Sequence, residues 1–290
     1  MPNIIVQYHP NSDYEQFCKL LYDQDFLAKR PHAKHALLYN FPDLSNLLKE
    51  GNTLDIIQSF VQKLYDQHQT QLIDIQQETQ KHFVDIQETL FYGLEHGMQY
   101  SFPPEKQYFV TLSFWPYSTY TSQWATITVL GIIRGVTGNE IVDIFVHEMT
   151  HTIFTEKMEQ QKWQKLQNVW YQFLKEIIAP IVIRNVCFEN IITHASYKEP
   201  NPEQYFINVE SQGALLSLTD FFDMLYKSVW ENGRAFDTFL TQAIEIMVSI
   251  QEELKQKQQI FFSLCQSFQP GSEAFTQQMR QSTYGVPIKI

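Results

Sequence analysis

The chain has 290 residues, which is long enough to bury a substantial hydrophobic core in one large domain or in two lobes. Its 32 acidic residues outnumber its 21 basic residues, giving a formal net charge of -11, and it has no basic run. This balance argues against nucleic acid and against an anionic membrane surface as partners. The three cysteines are far apart and lack CxxC spacing, so neither a disulfide framework nor a cysteine-only zinc site is indicated.

The N-terminus has no basic segment leading into an apolar stretch with a small-residue cleavage site, so we predict no secretory signal. The longest apolar run near the middle, residues 177–183, is followed at once by Arg184. A membrane-spanning helix needs roughly 20 apolar residues. We therefore expect a soluble, cytoplasmic protein without a membrane segment.

The first half of the chain is predicted to combine strands with one long helix. Residues 3–8 (NIIVQY) are short, branched and apolar, which predicts a strand, and the following His-Pro-Asn-Ser predicts a turn before a helix from about Asp13. From 53 to 96, apolar side chains recur at steps of three and four residues, which predicts a long amphipathic helix. Segments 108–115 and 124–132 are rich in β-branched and aromatic residues and predict two more strands.

Everything beyond Gly138 is predicted to be helical. The expected helices cover 158–194, about 203–231 and 234–268, with a helix-ending turn at Asn232-Gly233. The many glutamines are dispersed along helices, and we interpret them as solvated faces.

These predictions together give an α+β fold in two parts. Residues 1–136 form an α/β N-terminal subdomain with a small mixed sheet and a long helix. Residues 137–290 form an all-helical subdomain.

The segment FVHEMTHTIF, residues 145–154, places two histidines and a glutamate within a run of large apolar residues. Upstream, Thr137-Gly138-Asn139-Glu140 has the form of a capping box, which predicts that a helix begins at Thr137. A helix this apolar is expected to be buried, with its polar side chains facing a cleft or an ion. Those polar side chains form one stripe along the helix: Glu140, Asp143, His147, His151 and Thr155.

The HExxH spacing is suited to a metal site. His147 and His151 lie one turn apart on one helix face, so both imidazoles can reach a single Zn²⁺ at about 2.0 to 2.1 Å. Glu148 is rotated about 100° from His147, too far to ligate comfortably. It is instead placed to take a proton from water activated by the ion and to pass that proton to a leaving amine.

At these residues the chain resembles the zincin metallopeptidases, whose active-site helix carries HExxH beside an edge strand that binds extended peptide substrate. The resemblance covers about residues 124–180. It implies a zincin-like fold with the active-site helix at a cleft between the two subdomains. It also implies that the strand at 124–130 is the substrate-pairing edge of the N-terminal subdomain.

The third ligand separates the branches of this family. The residues after His151 lack the glycine and third histidine of a metzincin, Thr219-Asp220 is a poor match to the aspartate-type branch, and the cysteine segment of the deformylases is absent. The segment VWYQFLKEIIA, residues 169–179, resembles the gluzincin segment that supplies a glutamate. This resemblance implies Glu176 as the third ligand. It departs from the family pattern at Ile177, where glycine is common.

Two other assignments stay open. Glu189 and Glu210 are alternative third ligands at longer spacings. The group that stabilises the oxyanion at the scissile carbonyl is expected to be a tyrosine or histidine from the C-terminal half. We assign it to Tyr205, with His194 and Tyr284 as alternatives.

The sequence therefore predicts a zinc-dependent metallopeptidase of gluzincin type that acts on a peptide or protein substrate. One alternative keeps the metal but hydrolyses another kind of amide. A second is a non-catalytic helical interaction protein with a vestigial HExxH. The sequence fixes neither the oligomeric state nor the cleavage preference.

Overall fold

The computed structural model describes most of the chain. The described residues are 2–29, 33–51, 54–116, 118–120, 124–133, 140–160, 168–186, 191–192, 207–233, 235–268, 272–282 and 285–290. The chain divides into two compact units, Met1–Phe91 with Phe102–Glu148 and Tyr92–Ser101 with Met149–Ile290. The predicted division at 136 falls outside the described residues and stays a prediction.

The described elements follow one another in this order: β1 (Asn3–Tyr8), α1 (Pro10–Tyr22), α2 (Gln24–Lys29), α3 (Ala33–Asn40), α4 (Pro42–Glu50), α5 (Leu54–Met98), β2 (Gln107–Ser113), β3 (Thr119–Tyr120), β4 (Trp124–Thr128), α6 (Leu130–Ile133), α7 (Glu140–Gln160), α8 (Asn168–Asn185), β5 (Asn208–Ser211), β6 (Ala214–Ser217), α9 (Leu218–Glu231), α10 (Phe236–Ser249), α11 (Gln251–Ser267), α12 (Glu273–Gln281) and β7 (Ile288–Lys289). The fold is mixed α+β and mostly helical, as predicted.

A four-stranded sheet with the order β1-β2-β4-β3 organises the first unit. β1 pairs with β2 and β2 with β4 in parallel, whereas β3 is antiparallel to β4. The predicted mixed sheet and its first strand are confirmed. The predicted strand to Ile132 is too long, because the chain turns into α6 at Leu130.

The prediction that the strand at 124–130 is a sheet edge is wrong. Thr119 and Tyr120 return antiparallel and pair with Thr126 and Ala125, so β4 lies inside the sheet. Among the described strands, β3 is the edge on that side.

One face of this sheet forms the core of the first unit. Val6, Val110 and Ile127 are buried on it, as expected for alternate positions of half-buried strands. The ring of Phe83 on α5 meets Phe145 on α7 edge to face, with centroids 5.0 Å apart. The long helix α5 therefore helps to hold the N-terminal half of α7.

Two glutamines of α5 cover the backbone of β1. Gln80 accepts from the Val6 N–H at 2.8 Å and donates to the Ile4 carbonyl at 2.9 Å. Gln76 donates to the Val6 carbonyl at 2.8 Å. The interpretation of the glutamines as solvated faces is therefore wrong for this pair, since both satisfy strand-edge groups that would otherwise need water.

The prediction of an all-helical C-terminal subdomain is wrong, because the second unit contains three strands among its described residues. β5 and β6 form an antiparallel hairpin, and β7 pairs with β5 in parallel. The hairpin turns at Gln212 and Gly213, whose φ angles of 52° and 79° are both positive, as in the tight turns that favour glycine. Each strand of this hairpin has four residues, too few to show a clear alternation of apolar and polar residues.

The helices of the second unit also begin and end differently from the prediction. α9 begins at Leu218, where the Ser217 hydroxyl caps it by accepting from the Asp220 N–H at 3.0 Å. The predicted helix 234–268 is divided at Ile250 into α10 and α11. The turn at Asn232-Gly233 is confirmed, with a φ of 65° at Gly233.

Within the described part of the chain, none of the helices combines the length and apolar character needed to cross a membrane.

Candidate metal centre

Helix α7 carries the HExxH segment and is buried as predicted. Phe145, Val146 and Ile153 are almost completely shielded from solvent. The helix continues to Gln160, six residues beyond the predicted segment. The predicted capping residues 137–139 lie outside the described residues.

The polar stripe of α7 is also largely enclosed. Asp143 is fully buried and His151 is 2% exposed, while His147 and Glu148 are half-buried. Carboxylates and imidazoles are enclosed in this way only when they have partners. We therefore expect the polar side chains of this stripe to face partner groups or a bound ion, and not solvent.

The structure brings together the three residues that the sequence analysis assigned as ligands. One ligand atom each of His147, His151 and Glu176 lies within 4.8 Å of the other two. The Nε2 atom of His151 is 3.7 Å from Oε2 of Glu176. The two histidines are four positions apart on α7, whereas Glu176 comes from α8.

This donor set fits Zn²⁺. Two imidazoles and a carboxylate are ligands that zinc accepts in sites that keep a position open for water or substrate. Two atoms at about 2.1 Å from one tetrahedral ion lie about 3.4 Å apart. The observed 3.7 Å between His151 and Glu176 is close to that spacing, so this pair needs only a small side-chain adjustment.

Glu176 has a charged neighbour on the same helix, Lys175. Nζ of Lys175 lies 3.5 Å from Oε1 of Glu176, so the two carboxylate oxygens face different groups. Lys175 is 7% exposed and the Glu176 side chain is 29% exposed. A lysine in an apolar segment such as residues 173–183 is the sequence signal that could have indicated a buried ammonium group.

Helix α8 has a further local feature beside Glu176. Pro180 lies inside the helix, four residues after Glu176. Proline has no N–H, so it cannot give the Glu176 carbonyl its usual helical hydrogen bond.

The remaining predicted site residues are not part of this cluster as described. Tyr205, His194, Tyr284 and Glu189 lie outside the described residues. Glu210 is exposed on β5 and does not belong to the group around His151. Of the glutamates considered as third ligand, Glu176 is the one that the described structure places with the histidines.

Comparisons with protein-family models, with curated proteins and with solved structures found no match to this chain.

Proposed function

We propose that this protein is a zinc-dependent metallopeptidase of the zincin type, in its gluzincin-like branch. The observation that carries the proposal is the approach of His147, His151 and Glu176 to within 4.8 Å, two of them on an HExxH helix and the third on the next helix. The mixed sheet that precedes α7 supports a zincin-like fold.

Each residue of the site has a chemical role in this proposal. Zn²⁺, when bound, supplies a Lewis acid that makes water nucleophilic near neutral pH and polarises a carbonyl group. His147 and His151 hold the ion through neutral imidazole nitrogens, and Glu176 adds a carboxylate oxygen. Glu148 acts as general base and then as general acid towards the leaving amine.

The substrate in this proposal is a peptide or protein. The protein acts in the cytoplasm, without nucleic acid or membrane as partner. Tyr205 is retained as the proposed oxyanion donor, since a group of that kind is needed at the scissile carbonyl.

Substitution of Glu148 tests catalysis. We expect Glu148→Gln to keep one zinc per chain and to lose at least about 100-fold in kcat/KM on a peptide library, because the general base is gone. Glu159→Gln is the matched control, since Glu159 is exposed near the end of the same helix. Equal cleavage by the wild-type protein and Glu148→Gln would contradict the assignment of the base. Retained zinc without any peptide cleavage by the wild-type protein would favour another amide substrate.

Metal analysis tests the site itself. We expect His147→Ala and His151→Ala to lose the zinc that the purified wild-type protein retains after dialysis, because each removes one of three ligands. A wild-type protein without stoichiometric zinc, unchanged by His147→Ala, would contradict the proposal and favour the non-catalytic interaction protein.

A further inference from the structure

Two side-chain contacts join helix α8 to α7. In the first, Glu176 faces His151. In the second, the Tyr171 hydroxyl donates to Oγ1 of Thr155 at 2.7 Å. Residue numbers rise along α8 as they fall along α7, so the two helices run antiparallel. With a rise of 1.5 Å per residue, the contacts are about 6 Å apart along α7 and about 7.5 Å apart along α8. The hydroxyl contact therefore lies roughly one and a half helical turns from Glu176 along α8.

The hydroxyl contact continues to the backbone of His151. Oγ1 of Thr155 donates to the His151 carbonyl at 2.8 Å. A threonine hydroxyl has one hydrogen, so it donates to His151 while it accepts from Tyr171. The chain Tyr171–Thr155–His151 thus ends on the residue whose imidazole faces Glu176.

The direction of Glu176 depends on how α8 is registered against α7. A slip of one residue rotates a helical side chain by about 100°, which would turn the Glu176 carboxylate away from His151. The Tyr171–Thr155 bond opposes such a slip. The ring of Tyr171 also packs on Phe154, with centroids 5.2 Å apart, so the hydroxyl can be removed while the ring contact remains.

We propose that Tyr171 and Thr155 are positioning residues that fix the register of α8 on α7 and so hold Glu176 in place as a metal ligand. This inference rests on the proposed zinc site and assigns two residues outside the group of three ligands. Groups that orient metal ligands typically change metal affinity 10- to 100-fold when they are removed.

The first test removes the tyrosine hydroxyl. We expect Tyr171→Phe to raise the Kd for zinc about 10-fold, measured by competition with a chelator. The visible absorption spectrum of the Co²⁺-loaded protein should also change, because it reports on the arrangement of the ligands. In a Glu176→Ala background, Tyr171→Phe should have no further effect on the Kd, since the positioned ligand is absent.

Tyr226→Phe is the matched control. The Tyr226 hydroxyl is buried in the same unit and donates to the Gly97 carbonyl at 2.8 Å. Tyr226→Phe therefore removes one tyrosine hydrogen bond, as Tyr171→Phe does. It should leave the Kd for zinc and the Co²⁺ spectrum unchanged.

A second pair of variants keeps the test decisive if Tyr171→Phe does not fold. Thr155→Val removes the hydroxyl at nearly constant volume and should weaken zinc binding as Tyr171→Phe does. Thr155→Ser restores the hydroxyl and should restore the wild-type Kd. Thr241→Val is the control, because the Thr241 hydroxyl donates to the Asp237 carbonyl at 2.8 Å in the same local geometry.

Two results would overturn the positioning role while the zinc site stands: a wild-type Kd in Tyr171→Phe, or equal weakening by Thr155→Ser and Thr155→Val. A wild-type protein that binds no zinc would overturn the proposed function and the positioning role together.

Discussion

Asp13 shows how burial acts on a single acid in this fold. Its carboxylate accepts hydrogen bonds from the Tyr65 hydroxyl at 2.9 Å, from the Phe114 N–H at 2.7 Å and from the Ser113 hydroxyl. Burial nevertheless raises the pKa of Asp13 from 3.8 to about 6, although the three hydrogen bonds act in the opposite direction. The carboxylate is therefore costly to hold ionised at this position.

The pH dependence of stability tests this effect. The pKa of Asp13 is higher in the folded protein than in the unfolded chain. Its contribution to the free energy of unfolding is therefore fully present below about pH 4 and is lost as the pH rises through about 6. A shift of about two units corresponds to about 3 kcal/mol. We expect Asp13→Asn to remove most of that decline in the free energy of unfolding, measured in urea from pH 4 to 7.

The exposed residue Asp43 supplies the control for this titration. The free energy of unfolding of Asp43→Asn should decline with rising pH as that of the wild-type protein does. If the free energy of unfolding of Asp13→Asn declines as much as that of the wild-type protein, another group causes the pH dependence.

At the scale of elements, local patterns account for the parts that were predicted well. β1 and α5 match their predicted bounds closely, because alternation and helical periodicity act within a few residues. The β5–β6 hairpin was not predicted, because its two strands have four residues each and its turn signal is a single Gln-Gly pair. The edge assignment of β4 failed because Thr119 and Tyr120, only five to seven positions before their partners, form a two-residue strand that pairs with it.

The contact between α5 and β1 gives a prediction at this scale. We expect Gln80→Leu to lower the free energy of unfolding by about 1 to 3 kcal/mol, because it removes two hydrogen bonds and leaves the Val6 N–H without its acceptor. Denaturant unfolding measures the change. Gln77→Leu changes an exposed position of the same helix and should have little effect. Equal effects of the two substitutions would show that the edge contacts contribute little.

At the scale of the whole molecule, the candidate metal site links segments that are distant along the chain. His147 and Glu176 are separated by 28 intervening residues, and residues 161–167 between their helices lie outside the described part. A ligand that binds only the folded chain raises its stability in proportion to the logarithm of its concentration. Zinc binding should therefore be visible in unfolding experiments.

We expect zinc at 100 times its Kd to raise the free energy of unfolding by about 2.7 kcal/mol and to raise Tm, and a chelator to reverse both. Differential scanning calorimetry with and without zinc measures the shift. In His151→Ala the shift should vanish. A Tm that does not respond to zinc in the wild-type protein would count against the site.

The sequence by itself determined the first part of the candidate site. The four-residue spacing of His147 and His151 places both on one face of a helix, because helical geometry is local and repeats every 3.6 residues. The tertiary structure decided which described glutamate joins them. Glu176 reaches His151 because it lies on α8, which contacts α7 through side chains far apart in the sequence, whereas Glu210 is exposed on β5 and does not belong to the group.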